Sequence, residues 1–536
     1  MSPLTPTGRS RHGLSAVLRP RVLVPVVIVA GAAVVTPLVL GSNSGATTAT
    51  TSKVQGWPAD GASVAPDRLA ATTVHVSGTS ADKVSATVDG RPVTVTPDGA
   101  GARFSPGRLP DGTHVLVVDV AGKHYTRSFT VDGTPPSLAV KAPGPLPMGK
   151  PVTVGGDVEP GAVVTVNGQP VKVAGSTWSE SFPKAPGQLT VVATDPAGNR
   201  TERQVSVKFD VPLTRAVHMT ALAWGYKPKR DAVLRLVKQH RINAVEVDIK
   251  DEDGVLGYKS QVPLAVQDHA TKFAAYDAKA MLDQLHGLGV RVVGRLVAFH
   301  DPKLAGWAWK HGHHDWVIQD RSRKPWQGTY GSYAFANFAN PEVQQYNVDI
   351  AVEAAKLGFD DILYDYVRRP DGDLKQMRIA GLHGTGEAQV ADFVRQTRAA
   401  LDAAGTDTFL GASVFGIAAT RPKEIAQNIP MIAQYADYVS PMVYPSHWGP
   451  GEYGIGNPNS HPYAIVQRSL KDFNTKLKGT HAVVIPWLQD FSLGVHYTAA
   501  QVLAQERGAQ RNGIEGFLLW NAGCDYDVAA TPVMKH

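Results

Sequence analysis

The stretch DDILYDYVRRP, residues 360–370, decides how the C-terminal part of this chain is read. Ile362, Leu363 and Tyr364 begin as a buried β-strand, Asp365 interrupts the apolar run, and Arg368, Arg369 and Pro370 end it. An ionised carboxylate is costly inside an apolar strand unless it is paired or put to use. A charge at the C-terminal end of a strand fits a parallel barrel, whose active sites lie at that end of its strands.

Outward from this strand, the sequence alternates strands and helices from residue 213 onward. AVHMTALAW (216–224) reads as a strand and KRDAVLRLVKQH (229–240) as an amphipathic helix; NAVEVDIK (243–250) and DAKAMLDQLHGLG (277–289) make the second pair. VRVVGRLVAF (290–299) precedes the helix 341–358, DDILYDYV (360–367) the helix 388–405, and TFLGASVFG (408–416) the helix 424–436. DYVSPMVYP (437–445) and HAVVIPWLQDF (481–491) are each followed by a helical stretch, 463–477 and 498–513, and IEGFLLWNA (514–522) is an eighth strand. Eight such units predict an α/β TIM (β/α)8 barrel over 213–536. The rival, an open doubly wound sheet, carries a glycine-rich phosphate turn after its first strand, which is missing here.

Two stretches before the barrel resemble each other. TVDGRPVTV (87–95) matches TVNGQPVKV (165–173), and GTHVLVVDVAGK (112–123) matches GQLTVVATDPAGN (187–199). Short alternating strands around Asp89-Gly90 and Asn167-Gly168, dipeptides suited to tight hairpins, predict two β-sandwiches over 56–133 and 134–210. The DPAGN turn and its flanking strands look like bacterial immunoglobulin-like modules, which implies a spacer or adhesive stalk. The short VPLTR link (211–215) predicts that the barrel folds without them.

At the N-terminus, Arg9, Arg11, Arg19 and Arg21 precede the charge-free run VLVPVVIVAGAAVVTPLVLG (22–41). That run is long enough to cross a bilayer core of about 30 Å as a helix. The arginines keep residues 1–21 in the cytoplasm and place the bulk of the chain outside. Here 22–41 is expected to be an uncleaved signal-anchor and 42–55 a flexible linker. A secreted form follows if SNSGA (42–46) is instead a cleavage site.

The net charge of +6 is spread without a basic, aromatic-interleaved run, so nucleic acid is not expected as a partner. With Cys524 the only cysteine, no intrachain disulfide and no thiolate zinc pattern can form. DIKDEDG (248–254) begins like a calcium loop but has Lys250 at its third position and Lys259 at its twelfth, so it is rejected. The histidines of HGHHD (311–315) read as a solvated loop, and Cys524 as inert. No cofactor or metal is expected, and the chain is expected to be a monomer.

Strand alternation then selects the lumen. Val245, Val247 and Ile249 should face helices, leaving Glu246, Asp248 and Lys250 inward; Leu363 and Asp365 should likewise point inward. Arg295, Tyr444, Trp487, Gln489 and Trp520 fall at or near strand ends, with His300, Arg368, His447, Trp448 and Asn521 just beyond. Carboxylates with aromatic faces suit carbohydrate chemistry, since glycosidases flank the scissile bond with two carboxyl groups and aromatic rings cover sugar C–H faces. The catalytic candidates are Asp365 and Asp248. Behind them come Asp490, one residue beyond Gln489 where parity is unreliable, and Asp251, which opens the turn-like DEDG (251–254). The other residues named are candidates for binding sugar. A structural ion-pair network, with Asp365 beside Arg295 or Lys250, is the plainer alternative.

Together NAVEVDIKDEDG (243–254), GRLVAFHDP (294–302), GFDDILYDYVRRP (358–370), SVFG (413–416), DYVSPMVYPSHW (437–448), PWLQDF (486–491) and LLWNA (518–522) resemble a family of exported bacterial TIM-barrel domains. That family is described as glycosyl hydrolases with an amylase-like barrel. The resemblance implies a cell-surface, polysaccharide-acting enzyme with recurring residues at Asp365, Asp248 and Lys250. Arg369 stands where the family's fourth-strand motif has an aromatic. The strand also looks like that of family-eighteen chitinases, but Val367 replaces their catalytic glutamate and cannot transfer a proton. Amylase-like barrels carry a nucleophilic aspartate where Asp365 stands. Their acid ends strand five, where GASVFGIAAT (411–420) has none, so Asp248 is the expected acid. The reading is a membrane-anchored glycoside hydrolase with a two-carboxylate mechanism. The alternative is a non-catalytic carbohydrate-binding barrel on the same stalk.

Overall fold

The computed structural model describes residues 52–534. The expected signal-anchor at 22–41 lies outside the described residues; among those described, no helix is long and apolar enough to cross a membrane.

Two all-β sandwiches come first, as the internal repeat predicts. In the first, one sheet orders Lys53–Gln55, Val74–Ser77, Gly101–Phe104 and Thr96–Asp98. Lys53–Gln55, assigned to the linker on composition, is therefore an edge strand of this sheet. The repeat is visible down to single hydrogen bonds. Asp89-Gly90 and Asn167-Gly168 both have positive φ (51° and 76°; 49° and 78°), the geometry of a two-residue hairpin turn. In each copy the turn's polar side chain reaches the strand on the far side of the hairpin in the sheet: Asp89 Oδ1 accepts from Val115 N, and Asn167 Oδ1 from Thr190 N.

The eight barrel strands are β1 (Arg215–Met219), β2 (Ala244–Lys250), β3 (Arg291–Val297), β4 (Asp361–Asp365), β5 (Phe409–Phe415), β6 (Tyr438–Met442), β7 (Trp487–Gln489) and β8 (Phe517–Trp520). All pair in parallel in the order β5-β4-β3-β2-β1-β8-β7-β6, and a β5–β6 ladder closes the ring. One helix follows each of the first seven strands on the outside of the barrel: α1 (Lys227–Lys238), α2 (Ala278–His286), α3 (Pro341–Leu357), α4 (Gly386–Ala403), the short α5 (Ile429–Ile432), α6 (Pro462–Lys476) and α7 (Ala499–Gln510). Val245, Val247, Ile249, Ile362 and Tyr364 join the core between strands and helices, as alternation requires.

Three elements differ from expectation, each for a local reason. The first strand stops at Met219 because Thr220 caps a short helix, its side chain accepting from Ala223 N. Pro486 lacks an N–H for the ladder and splits the seventh strand into Val483–Val484 and β7. The helix expected over 424–436 shrinks to α5, which starts at an Asn428 cap.

The barrel does not stand clear of the stalk. Apolar residues of the second sandwich (Leu189, Val207, Phe209) are continuous with the lower lumen residues Ala216, Ala244, Val293, Leu363, Phe409 and Leu518. Polar contacts flank this junction: Lys184 donates to Gly405 O at 2.6 Å and pairs with Asp407, and Ser206 Oγ donates to Gln434 O at 2.7 Å. The two units approach closely here: a Cβ at Gly187 would lie 2.7 Å from Arg398 Nε. The sandwich thus covers the barrel's N-terminal end and leaves the C-terminal end free. Phe209, 6% exposed at this junction, supplies a test. Phe209→Ala should cost about 3–5 kcal/mol in chemical denaturation, and the barrel's tryptophan transition should shift with it. A barrel transition that stayed put would mean the two units do not share their stability.

Candidate active site

The site is organised by Arg295 on β3, whose guanidinium is buried. Its Nη1 donates to Asp248 Oδ1 on β2 at 2.8 Å, and Nε and Nη2 donate to Asp365 Oδ2 on β4 at 2.9 and 2.7 Å. Nη2 also donates to Glu252 Oε1, from the loop after β2. Trp520 of β8 underlies the guanidinium, its ring centre 4.9 Å away. One layer deeper, His218 of β1 stacks on Trp520 at 4.1 Å, and its Nδ1 lies 2.5 Å from Glu246 Oε2.

Burial and charge sort these groups. Burial outweighs the opposing charge of Arg295 and pushes Asp248 up to about 7; burial also raises Glu246 well above its ordinary range. Burial pushes His218 down to about 4, so its ring is neutral. Burial also raises Glu252, but the charge and hydrogen bond of Arg295 win there and hold it at about 2. The difference follows from position, because Asp248 is 1% exposed whereas the Glu252 side chain is 37% exposed at the mouth.

Above Arg295 opens a cavity of about 360 Å³. Asp365 and Glu252 face it, with walls from Tyr330, Tyr366, Phe415, Tyr444, His447 and Trp448 and a floor of Trp487 and Trp520. Trp487 is fixed by donating Nε1–H to Ser413 Oγ at 2.9 Å. The turn after Asp365 is tight: Tyr366 adopts φ 47°, uncommon for a residue with a side chain, and its N–H donates to Asp365 Oδ1 at 2.7 Å. Both oxygens of Asp365 are thereby held. Behind the wall, Arg368 sits among Phe415, Tyr366, Phe335 and Tyr330 at 4.4–5.7 Å from the ring centres.

Of the residues expected to line the site, Asp365, Arg295, Tyr444, His447, Trp448, Trp487 and Trp520 do so. Asp248 is in the lumen but sits beneath Arg295 and does not line the cavity. Lys250 is a correction. A register shift between Asp248 and Lys250 inserts a bulge in β2, which reverses the facing of the last residue. Its Nζ therefore leaves the lumen and donates to Asp301 Oδ2 at 2.7 Å and Asn347 Oδ1 at 2.8 Å, under α3. Asp490 is another correction: it lies outside the cavity, pushed up to about 7 by burial and then by Asp527. Asp251 braces its own turn, Oδ1 accepting from Asp253 N and Val255 N. Gln489 and Asn521 are also structural. Gln489 Oε1 accepts from Ser446 N, and Asn521 Nδ2 donates to Asp490 O. His300 and Arg368 stand behind the wall, where His300 Nδ1 is 2.9 Å from Glu252 O.

Sequence reasoning missed Glu252, His218, Tyr330, Tyr366 and Phe415. His218 was within reach of the alternation rule, being level with Glu246 in the β1–β2 register. Glu252 was not, because nothing local distinguishes it from the other acids of its turn. In the HGHHD loop, His311 and His313 stack on Trp307 at 4.5 and 5.7 Å.

Two tests separate these placements. Lys250 and Asp301 are both fully buried, so Lys250→Met strands a carboxylate and should cost about 3–5 kcal/mol of stability, read by urea denaturation. A cost near zero would return Lys250 to the candidate site. For Glu252, the folded-state value lies below the ordinary 4.5. Its stabilising contribution is therefore complete above that value and lost as pH falls toward about 2. Glu252→Gln should be less stable than the parent at pH 6, with the deficit shrinking by pH 3; an equal deficit at both would place the effect elsewhere.

Among solved structures, the chain is similar to a hypothetical protein from Ruminiclostridium thermocellum (27% identity, 37% of this chain and 96% of that one, TM-score 0.33). It is also similar to the PgaB (BpsB) glycoside hydrolase domain from Bordetella bronchiseptica (16% identity, 58% and 95%, TM-score 0.40). A third likeness is to an alpha-amylase from Lactobacillus plantarum (16% identity, 58% and 71%, TM-score 0.37). At those TM-scores the likeness carries no argument, and the site's chemistry rests on its own geometry. No curated protein matches the chain. Residues 216–526, a span that takes in the barrel's strands and helices, match the family DUF4015, described as "Putative glycosyl hydrolase domain", and the chain belongs to that family.

Proposed function

We propose that the chain is a cell-surface glycoside hydrolase acting on a polysaccharide, with Asp365 as nucleophile and Glu252 as proton donor. One observation carries this reading: two carboxylates, one ending β4 and one on the loop after β2, meet on a single nitrogen, Arg295 Nη2, at the rim of an aromatic-walled cavity. Sharing one donor keeps the carboxyl groups near the about 5–5.5 Å used by retaining enzymes rather than the wider inverting separation. Asp365 attacks the anomeric carbon as the glycosidic C–O bond breaks, and Glu252 gives its proton to the leaving oxygen. Water then attacks the same carbon, returns a proton to Glu252 and frees Asp365.

Glu252 reaches its acid form through its two opposing influences. In the free chain Arg295 overrides burial. A sugar seated between them removes the cation's hold and deepens burial, which alone raises a carboxyl's pKa. Asp248, expected from sequence to be the acid, instead supports Arg295 from beneath. The location rests on sequence, namely the arginine-flanked apolar run at 22–41.

Cell-wall and exopolysaccharide fractions, with mass spectrometry of products, identify the sugar; its glycosyl fluoride and its oligosaccharide then separate the roles. Asp365→Asn should remove turnover of both. Glu252→Gln should lose about 10²–10⁴-fold on the oligosaccharide but still release fluoride in a first-turnover burst, since that leaving group needs no proton, before the second step, now without its base, slows turnover. Normal turnover by Asp365→Asn would sink the nucleophile assignment. A second reading, a non-catalytic carbohydrate-binding barrel, is favoured by the fact that both cavity-facing carboxylates are already ion-paired. It predicts sugar binding with no product.

A further inference from the structure

Beneath Arg295, three buried atoms have no hydrogen-bond partner among the described residues: His218 Nε2, Glu246 Oε1 and Asp248 Oδ2. Their side chains are 0%, 0% and 1% exposed, so bulk water does not satisfy them. One ligand-type atom from each of the three lies within 4.8 Å of the others. Carboxyl groups also outnumber cations there. Glu246, Asp248, Glu252 and Asp365 surround one cation, Arg295, whose hydrogen bonds go to the last three of them. Buried carboxylates left without a counter-charge or hydrogen bond are strongly unfavourable.

We propose that His218, Glu246 and Asp248 hold a divalent transition-metal cation of the Zn²⁺ or Mn²⁺ type in the lumen below the sugar cavity. One imidazole with two carboxylates is a donor set for such ions rather than for Mg²⁺ or Ca²⁺, which take oxygen ligands alone. At bond lengths of about 2.1 Å and tetrahedral angles, neighbouring ligand atoms are about 3.4 Å apart, so the side chains would draw in around the ion as it binds.

The surroundings suit a ligand set. His218 Nδ1 is on Glu246 Oε2, so with its proton donated there Nε2 is left as a bare lone pair. Trp520 fixes the imidazole plane by stacking, and Arg295 Nη1 orients Asp248 through its other oxygen. The dication offsets Glu246 and Asp248, while Arg295 serves Asp365 and Glu252. Its role is to hold Asp248, and through it Arg295, in place; the hydrolytic steps above do not pass through it.

The full-length chain, purified in detergent from Zn²⁺-supplemented culture and dialysed against metal-free buffer, should retain zinc one-to-one by mass spectrometry of the metal. His218→Ala and Glu246→Gln should each lower that content about tenfold or more. Replacing His311, His313 and His314 with alanine should leave it unchanged, because those histidines lie on the surface loop. If the lumen variants do not fold, the parent chain loaded with Mn²⁺ decides: its electron spin-echo spectrum should show coupling to one imidazole nitrogen. Sub-stoichiometric zinc in the parent, zinc lost with the loop histidines, zinc kept by a folded His218→Ala, or no nitrogen coupling would each overturn the proposal. Metal content is read without sugar, so loss of the hydrolase reading leaves this test standing, and the reverse.

Discussion

The upper half of the barrel depends on one buried guanidinium. Arg295 has given up its water, and it recovers that loss through the carboxylates of Asp248, Asp365 and Glu252 and the ring of Trp520. Each carboxylate comes from a different place: the end of β2, the end of β4 and the loop after β2. A planar fork with donors on several edges can serve all three, which a lysine ammonium cannot do with the same geometry. The same cation explains why neighbouring carboxyls behave differently. Asp248 is so deeply buried that burial prevails, whereas Glu252, at the mouth, is governed by the cation.

The barrel's two ends have divided duties. The N-terminal end is closed by the second sandwich, whose apolar residues run into the lower lumen, and by Arg291 paired with Asp361. The C-terminal end stays open and carries the cavity. Of the three carboxylates around Arg295, Glu252 at the mouth is the most exposed. Tyr366 adds a fixed point, since its left-handed backbone aims its N–H at Asp365. Backbone strain of this kind tends to collect where a side chain must be held in one orientation.

Much of this was legible in the sequence because barrels are written in periodicities. Alternation along DILYD placed Leu363 and Asp365 in the lumen and Ile362 and Tyr364 against helices, and repeated strand–helix units fixed the fold class. The hairpin dipeptides Asp89-Gly90 and Asn167-Gly168 announced the paired sandwiches, because few other residues tolerate their backbone angles. The cost of burying a charge in an apolar strand singled out Asp365 before any partner was known.

What alternation could not foresee was anything that breaks it or crosses it. The bulge in β2 turned Lys250 out of the lumen to meet Asp301, because an extra residue reverses every facing beyond it. Asp490 lies outside the cavity, and Asn521, close to a strand end in the chain, donates to the Asp490 backbone instead. Glu252 looked like any turn acid, and it became part of the site only because the fold carried it to Arg295, 43 positions later in the chain. Sequence by itself determined which residues alternate and therefore which architecture forms. Only the tertiary structure decided which charges share a dielectric and a partner, since those depend on distances through space that chain spacing does not encode.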